Sequence, residues 1–304
     1  MQTKIALIKP TGRVDYLTRT LVDGLELLSK DGECVMTDSL SEADLIIISS
    51  YNTEQLVNQK KEIDELNLWG KTAFVDGSEL GGNRRFTEVG KINEEMLKKC
   101  VLYFRREKPY PAGVLPLPFG IESRQVAYKK GQEKDIDFVC IFGQDKYPPL
   151  RAQVRDVLED FCKKEKFSYR TKQTGFLFWN IYSPSAQKRF YKILARAKVG
   201  VSVGGGGFDT ARFWEILGNN CLLMTESIDI YPDKGASELN YSRVTEFKDL
   251  DDFKFKLQKM GEYIRTQYPP ANIGSEYQEI LARHGSQARV QGIIDAAKSK
   301  RILK

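Results

Sequence analysis

The sequence predicts an α/β protein made of two Rossmann-like domains facing one another across a cleft. Three observations carry that expectation. Short apolar runs suited to strands alternate with segments of helical periodicity as far as residue 117; the alternation lapses into a polar, aperiodic stretch over 122–134; and it begins again at Asp137. At 304 residues the chain is long for one core and natural for two. The expected division is a first domain over 1–125 and a second over 135–304.

In the first domain, Lys4 to Ile8 reads as a buried strand, Pro10 to Arg13 as a loop, and Tyr16 to Ser29 as a helix with Leu17, Leu21, Leu25 and Leu28 on one face and Gly32 past its end. Strands follow at 33–37 and 43–50, a helix at 53–66, and a strand at 72–75 that runs into Asp76, Gly77, Ser78 and Glu79. A short helix over 93–99 and strands at 101–106 and 114–117 complete this sheet. Parallel sheets of this kind bind ligands beyond the carboxyl ends of their strands, where Asp76 and Glu79 fall.

The second domain opens on the strand 137–143, the helix 149–163, the strand 167–170 and the helix 183–197. The stretch 197–226 then holds a valine-alternating strand, the run Gly204-Gly205-Gly206-Gly207, Phe208, a capping position at Asp209 or Thr210, and a helix ending near Gly218 before the next strand. Glycines let backbone approach a ligand, and a helix start offers unpaired N–H groups that suit phosphate. Arg212 and Glu215, three apart, share one helical face: the guanidinium can pair with phosphate and the carboxylate can accept from both hydroxyls of a ribose. Past Glu226 a loop rich in Asp, Pro and Gly is expected, then helices over 250–267 and 275–300.

With 41% hydrophobic and 29% charged residues and no apolar run near the ~18 residues of a membrane span, no integral membrane association is expected. The N-terminus has no signal-peptide pattern, which points to a cytoplasmic protein. Five widely spaced cysteines read as buried reduced thiols. The net charge of +6 concentrates in 283–304, where 6 Lys and Arg face 1 Asp, either a solvated helix end or an attraction for a polyanion.

The Leu117-Pro118-Phe119-Gly120-Ile121-Glu122 junction, together with Gly207-Phe208-Asp209-Thr210-Ala211-Arg212-Phe213-Trp214-Glu215-Ile216-Leu217, resembles the GT-B glycosyltransferases, in their group-1 and spore-maturation (CgeB-like) branch. The second domain carries nearly all of the resemblance, over about 135–295. The family's junction usually reads Pro-Asn-Gly-Val-Asp, where Phe119 replaces Asn. Its donor helix usually carries two glutamates separated by seven residues; Glu215 matches the ribose-binding second one, and Gly207 stands in place of the first. The resemblance implies sugar transfer from a nucleotide-diphosphate sugar, with no resident cofactor or metal, to a glycan, protein or small-molecule acceptor bound by the first domain.

Gly143 with Arg151 would form one phosphate site at the first strand–helix turn of the second domain, and Arg212 with the amides of Gly205 and Gly206 another. Asp76 and Glu79 are the candidates for a general base. Each assignment has a structural rival. The glycines suit close helix–sheet packing, Arg212 can pair with Asp209 or Glu215, and Asp76 and Glu79 suit a capped turn. Asp135 and Asp137 read as strand-edge charges, Phe176, Phe178 and Trp179 as core or as an aromatic platform, and His284 as a solvated surface residue. The Arg84-Arg85 and Arg105-Arg106 pairs, with the basic tail, offer a path for DNA bearing a hydroxylated base. A non-catalytic nucleotide-sugar binding protein of the same fold is the alternative, and a dehydrogenase or Ser-His-Asp hydrolase finds no matching motif.

Overall fold

A computed structural model describes residues 2–10, 15–50, 56–78, 91–142, 148–171, 184–228, 230–231 and 239–303. Its elements in the first part of the chain are β1 (Thr3–Ile8), α1 (Tyr16–Lys30), β2 (Cys34–Met36), β3 (Leu45–Ser50), α2 (Val57–Glu65), β4 (Thr72–Asp76), α3 (Glu94–Lys99), β5 (Leu102–Arg105) and β6 (Val114–Pro116). The six strands form one sheet in the order β2-β1-β3-β4-β5-β6, every pair parallel. Local chemistry sets the helix starts: the Asp15 side chain accepts from the Thr18 amide at 2.8 Å, and Asn93 caps α3 through the Met96 amide at 3.0 Å. The expected apolar face of α1, Leu17, Leu21, Leu25 and Leu28, is buried.

Further along the chain come β7 (Ile136–Val139), α4 (Pro149–Glu165), β8 (Tyr169–Arg170), α5 (Pro184–Ala195), β9 (Ala197–Ser202), α6 (Ala211–Leu217), β10 (Leu222–Glu226), β11 (Val244–Phe247), α7 (Leu250–Thr266), α8 (Ile273–His284) and α9 (Ser286–Ser299). The second sheet, again parallel throughout, runs β11-β10-β9-β7-β8. Phe138, Val199, Val201, Leu222 and Met224 form its core with Leu158, Phe253 and Leu257 of the covering helices. Strand β11 lies in the stretch read from sequence as loop, because its four residues Val-Thr-Glu-Phe are too short to show a period.

The chain divides into two compact units: Met1–Glu122 with Asp229–Lys234 and His284–Lys304, and Ser123–Ile228 with Gly235–Arg283. The last helix thus belongs with the first unit, whereas the sequence reading placed all of 135–304 in the second domain. The helix expected over 275–300 is two helices, broken at Gly285, whose backbone is extended (φ −63°, ψ 158°). The break is made by Ile121, whose amide donates to the His284 carbonyl at 2.8 Å and whose carbonyl accepts from the Ser286 amide at 2.9 Å. From there α9 packs on α1 so closely that a Cβ on Gly24 would collide with the Ser286 carbonyl.

His284 is not a surface residue: it is 2% exposed. Arg289 Nη2 stands 3.1 Å from its Nδ1, and since arginine only donates, Nδ1 is the unprotonated nitrogen. The tail charge is therefore uneven, with Arg289 buried and Lys298, Lys300 and Arg301 exposed. The stretch read as a linker is strapped to the second unit: Asn219 accepts from the Ala127 amide at 2.9 Å, and Lys134 Nζ donates to the carbonyls of Ala197 and Asn219 at 2.8 and 2.9 Å. Burial pushes the Lys134 ammonium below the usual lysine range. The five cysteines are free and buried, and among the described residues no helix is long and apolar enough to cross a membrane.

Candidate functional site

In the second sheet the strand order reverses between β7 and β9, and parallel sheets bind ligands in the crevice beyond the carboxyl ends at such a point. The glycine run begins there, directly after β9. Arg151, in the first turn of α4, reaches it from the β7 side: Nε donates to the Gly204 carbonyl at 3.1 Å and Nη2 to the Val203 carbonyl at 3.2 Å. From the other side Glu226, at the end of β10, accepts the Gly204 amide at 2.8 Å. A further bond, Gly205 N–H to the Gly207 carbonyl at 2.8 Å, folds the run into a tight turn. The run is thus held between a cation and an anion, and Arg151 acts on its backbone.

Helix α6 leaves this turn. Thr210 is its N-cap by position, but its hydroxyl lies 3.2 Å from Ser202 Oγ and caps nothing; Asp209 accepts the Trp214 indole N–H at 2.7 Å. Arg212 pairs with Glu215, not with Asp209, at 2.7 Å, and its guanidinium lies 3.8 Å from the centroid of the Phe190 ring. The other Glu215 oxygen accepts from the Tyr191 hydroxyl at 3.2 Å. Glu215 is 8% exposed, fixed by one donor on each oxygen, and each oxygen keeps a further lone pair. Arg212 Nε is buried and makes no hydrogen bond among the described residues.

Close packing of sheet on helix falls to another glycine. A Cβ on Gly200 of β9 would stand 2.6 Å from Ile216 Cγ1, whereas one on Gly205 would meet the end of the Arg151 side chain, Nη2 at 3.0 Å and Cζ at 3.8 Å.

In the first unit, Asp76 ends β4 buried among partners. It accepts from the Tyr103 hydroxyl at 2.6 Å and the Ser78 amide at 2.9 Å, and Arg105 Nη1 stands 3.4 Å away. Burial first, then the Asp76 charge, lifts the Tyr103 hydroxyl well above the ordinary phenol range. Such a carboxylate is anchored by its neighbours. Phe119 lies under the Arg106 guanidinium at 4.1 Å and beside Tyr16 at 4.6 Å, which accounts for an aromatic at a position where an amide was the expected residue. Asp137 pairs with Lys198 at 2.7 Å and Asp135 with Arg196, the strand-edge reading of both.

Glu79 and Gly143, like Arg84, Arg85, Phe176, Phe178 and Trp179, lie outside the described residues. Among the described residues no group of three or more His, Cys, Asp or Glu is placed to share a metal ion. Glu226, Tyr191 and Phe190 were not among the sequence candidates. Glu226 ends a strand at the sheet's ligand-binding edge, which is the one signal that could have found it; Tyr191 and Phe190 sit on α5 with no motif around them.

No family model matches the sequence, and no curated protein matches it. The structure does have neighbours. An alpha-glucosyltransferase solved with UDP and a 13-mer DNA containing a HMU base superposes with a TM-score of 0.59 at 12% identity, over 97% of this chain and 99% of that one. The fold is that of the GT-B glycosyltransferases. The Anabaena HepE protein in complex with UDP shares this GT-B fold with a TM-score of 0.56 at 9% identity, covering 98% and 100%. A glycosyltransferase from Rickettsia africae gives 0.57 at 9%, covering 100% and 99%. At such identities the GT-B likeness concerns the two parallel-sheet units and their connectivity.

Proposed function

We propose that this protein is a glycosyltransferase that moves a sugar from a nucleotide-diphosphate sugar to an acceptor hydroxyl. The observation that carries the reading is Glu215, a carboxylate held by Arg212 and Tyr191 beside a braced glycine run at the reversal point of the second sheet. Its remaining lone pairs suit the two hydroxyls of a ribose. Arg212 and the amides of Gly205 and Gly206 are then the groups that meet the diphosphate, and Arg151 holds the shape of the run. As the sugar leaves, charge builds on the departing diphosphate, and the Arg212 guanidinium and the glycine amides would stabilise it.

In this reading the enzyme needs no resident metal or cofactor, works in the cytoplasm, and is kin to the group-1 and CgeB-like branch through residues 207–217. Its acceptor, bound by the first unit, is a glycan, protein or small molecule. The neighbour solved with DNA keeps a modified base among the candidate acceptors. Asp76, anchored by Tyr103 and Ser78, and Glu79 are the candidates for the base. Incubating the protein with a panel of nucleotide sugars, with and without acceptor extracts, and measuring nucleoside diphosphate release tests the reading. Acceptor-dependent release is expected, and tight binding with no turnover across the panel would leave a non-catalytic binding protein.

A further inference from the structure

Arg105 closes β5 at the carboxyl edge of the first sheet and is 0% exposed. Its Nη1 is used: it donates to the Lys91 carbonyl at 3.2 Å and stands 3.4 Å from Asp76 Oδ2. Its Nε and Nη2 are buried and make no hydrogen bond among the described residues. Those two atoms form the edge of a guanidinium whose parallel N–H bonds match two oxygens of a carboxylate or phosphate. The hydroxyl of Ser78, on the loop after β4, is buried and unbonded as well, while the Ser78 amide is tied to Asp76 Oδ1 at 2.9 Å. Three donors without an acceptor therefore flank one buried carboxylate, and all lie where parallel sheets bind ligands.

Asp76 does not need these donors, since it already has the Tyr103 hydroxyl, the Ser78 amide and Arg105 Nη1. Neither does Glu107, which pairs with Arg106 at 2.9 Å. A buried guanidinium edge left unbonded is costly, and an oxyanion removes the cost of both N–H groups at once.

We propose that Arg105 and Ser78 form an oxyanion-binding site that takes a terminal carboxylate or phosphate of the acceptor. The word acceptor rests on the glycosyltransferase reading; the binding itself does not. Because the edge is enclosed, the group it takes is small and terminal, not the repeating phosphate of a duplex. The nearby Asp76 charge opposes any anion, so selection comes from the two-pronged geometry, and chloride should not substitute.

The test is thermal stabilisation of the full chain by glucuronate, methyl phosphate, glucose or chloride at matched ionic strength. It is repeated in Arg212→Ala so that a phosphate at the second-unit crevice is not what is read. Glucuronate or methyl phosphate should raise Tm in both proteins, glucose and chloride should not, and whichever anion acts identifies the acceptor group. Arg105→Lys, which keeps the charge and loses the fork, should weaken the acting anion at least tenfold, and Ser78→Ala, a milder change to the fold, severalfold. No shift with either anion would overturn the proposal, as would a shift that both variants leave intact, or displacement of the anion by a DNA duplex. If the anion shift is present and no nucleotide sugar turns over, the transferase reading fails and the site stands; turnover without the shift fails the site alone.

Discussion

Arg151 and Gly204 are joined across the reversal point of the second sheet, the guanidinium Nε of one donating to the carbonyl of the other at 3.1 Å. Arg151→Ala leaves that carbonyl and its neighbour on Val203 without their donors and frees the glycine run to move. Nucleotide affinity measured by calorimetry should fall about tenfold, roughly 1.4 kcal/mol, with nucleoside diphosphate and nucleotide sugar losing alike, since a brace acts on both. A loss confined to the diphosphate would show direct contact instead.

Glu215 separates from Arg212 by ligand. Glu215→Gln removes charge-assisted acceptors worth about 1.5–3 kcal/mol each, so both the free nucleoside and its diphosphate should bind at least tenfold more weakly. Arg212→Ala should weaken the diphosphate more than the nucleoside. Equal nucleotide affinity in Glu215→Gln and wild type would place the donor elsewhere.

Gly200→Ala tests packing without touching the crevice. Its Cβ would come 2.6 Å from Ile216, a β-branched side chain between sheet and helix with little room to turn. We expect a loss of about 1–3 kcal/mol in denaturant unfolding, partly restored by Ile216→Ala in the same chain. Gly205→Ala should cost less stability, because its Cβ would meet the far end of the Arg151 side chain at 3.0 Å and displace at most the Nη2 bond to Val203.

The sequence spoke clearly where a period or a spacing exists. Leu17, Leu21, Leu25 and Leu28 announce α1, and Val199 and Val201 announce β9, while Arg212 had Asp209 and Glu215 both open as partners and the structure chooses Glu215. It was silent where a long-range partner decides. Gly285 suits a helix end but fits a helix interior too, and what decides for a break is the pair of hydrogen bonds with Ile121, far away in the chain. His284 looks solvated beside Arg283 and is buried by the same return of the chain. The tetraglycine showed that backbone comes close to something, without telling a ligand from a helix; Gly200 settles part of that by taking the packing role itself.

Alkaline pH gives a measurement independent of any ligand. Burial lifts Cys100, in the first unit, and Cys162, in the second, from the ordinary value of 9.0 to about 12. The unfolded chain therefore releases these protons first. Each thiol's contribution to stability is whole below pH 9, and it is lost as pH climbs toward 12 by up to about 1.4 kcal/mol per pH unit. Urea midpoints should fall between pH 8 and pH 10.5, and Cys162→Ala should make the fall shallower. A flat profile over that range would mean that these thiols titrate in the folded protein as they do in the unfolded one.

The return of α9 to α1 reorders the protein's biogenesis. A ribosome finishes residues 1–122 and must still make the whole second unit before Ser286 can cover Gly24. At about 5–20 residues per second, roughly 160 residues separate the two events by some 8–30 s. Throughout that interval the nascent first unit lacks its closing helix and offers the uncovered side of α1 to chaperones, while the second unit, contiguous except for one short excursion, can fold ahead of it.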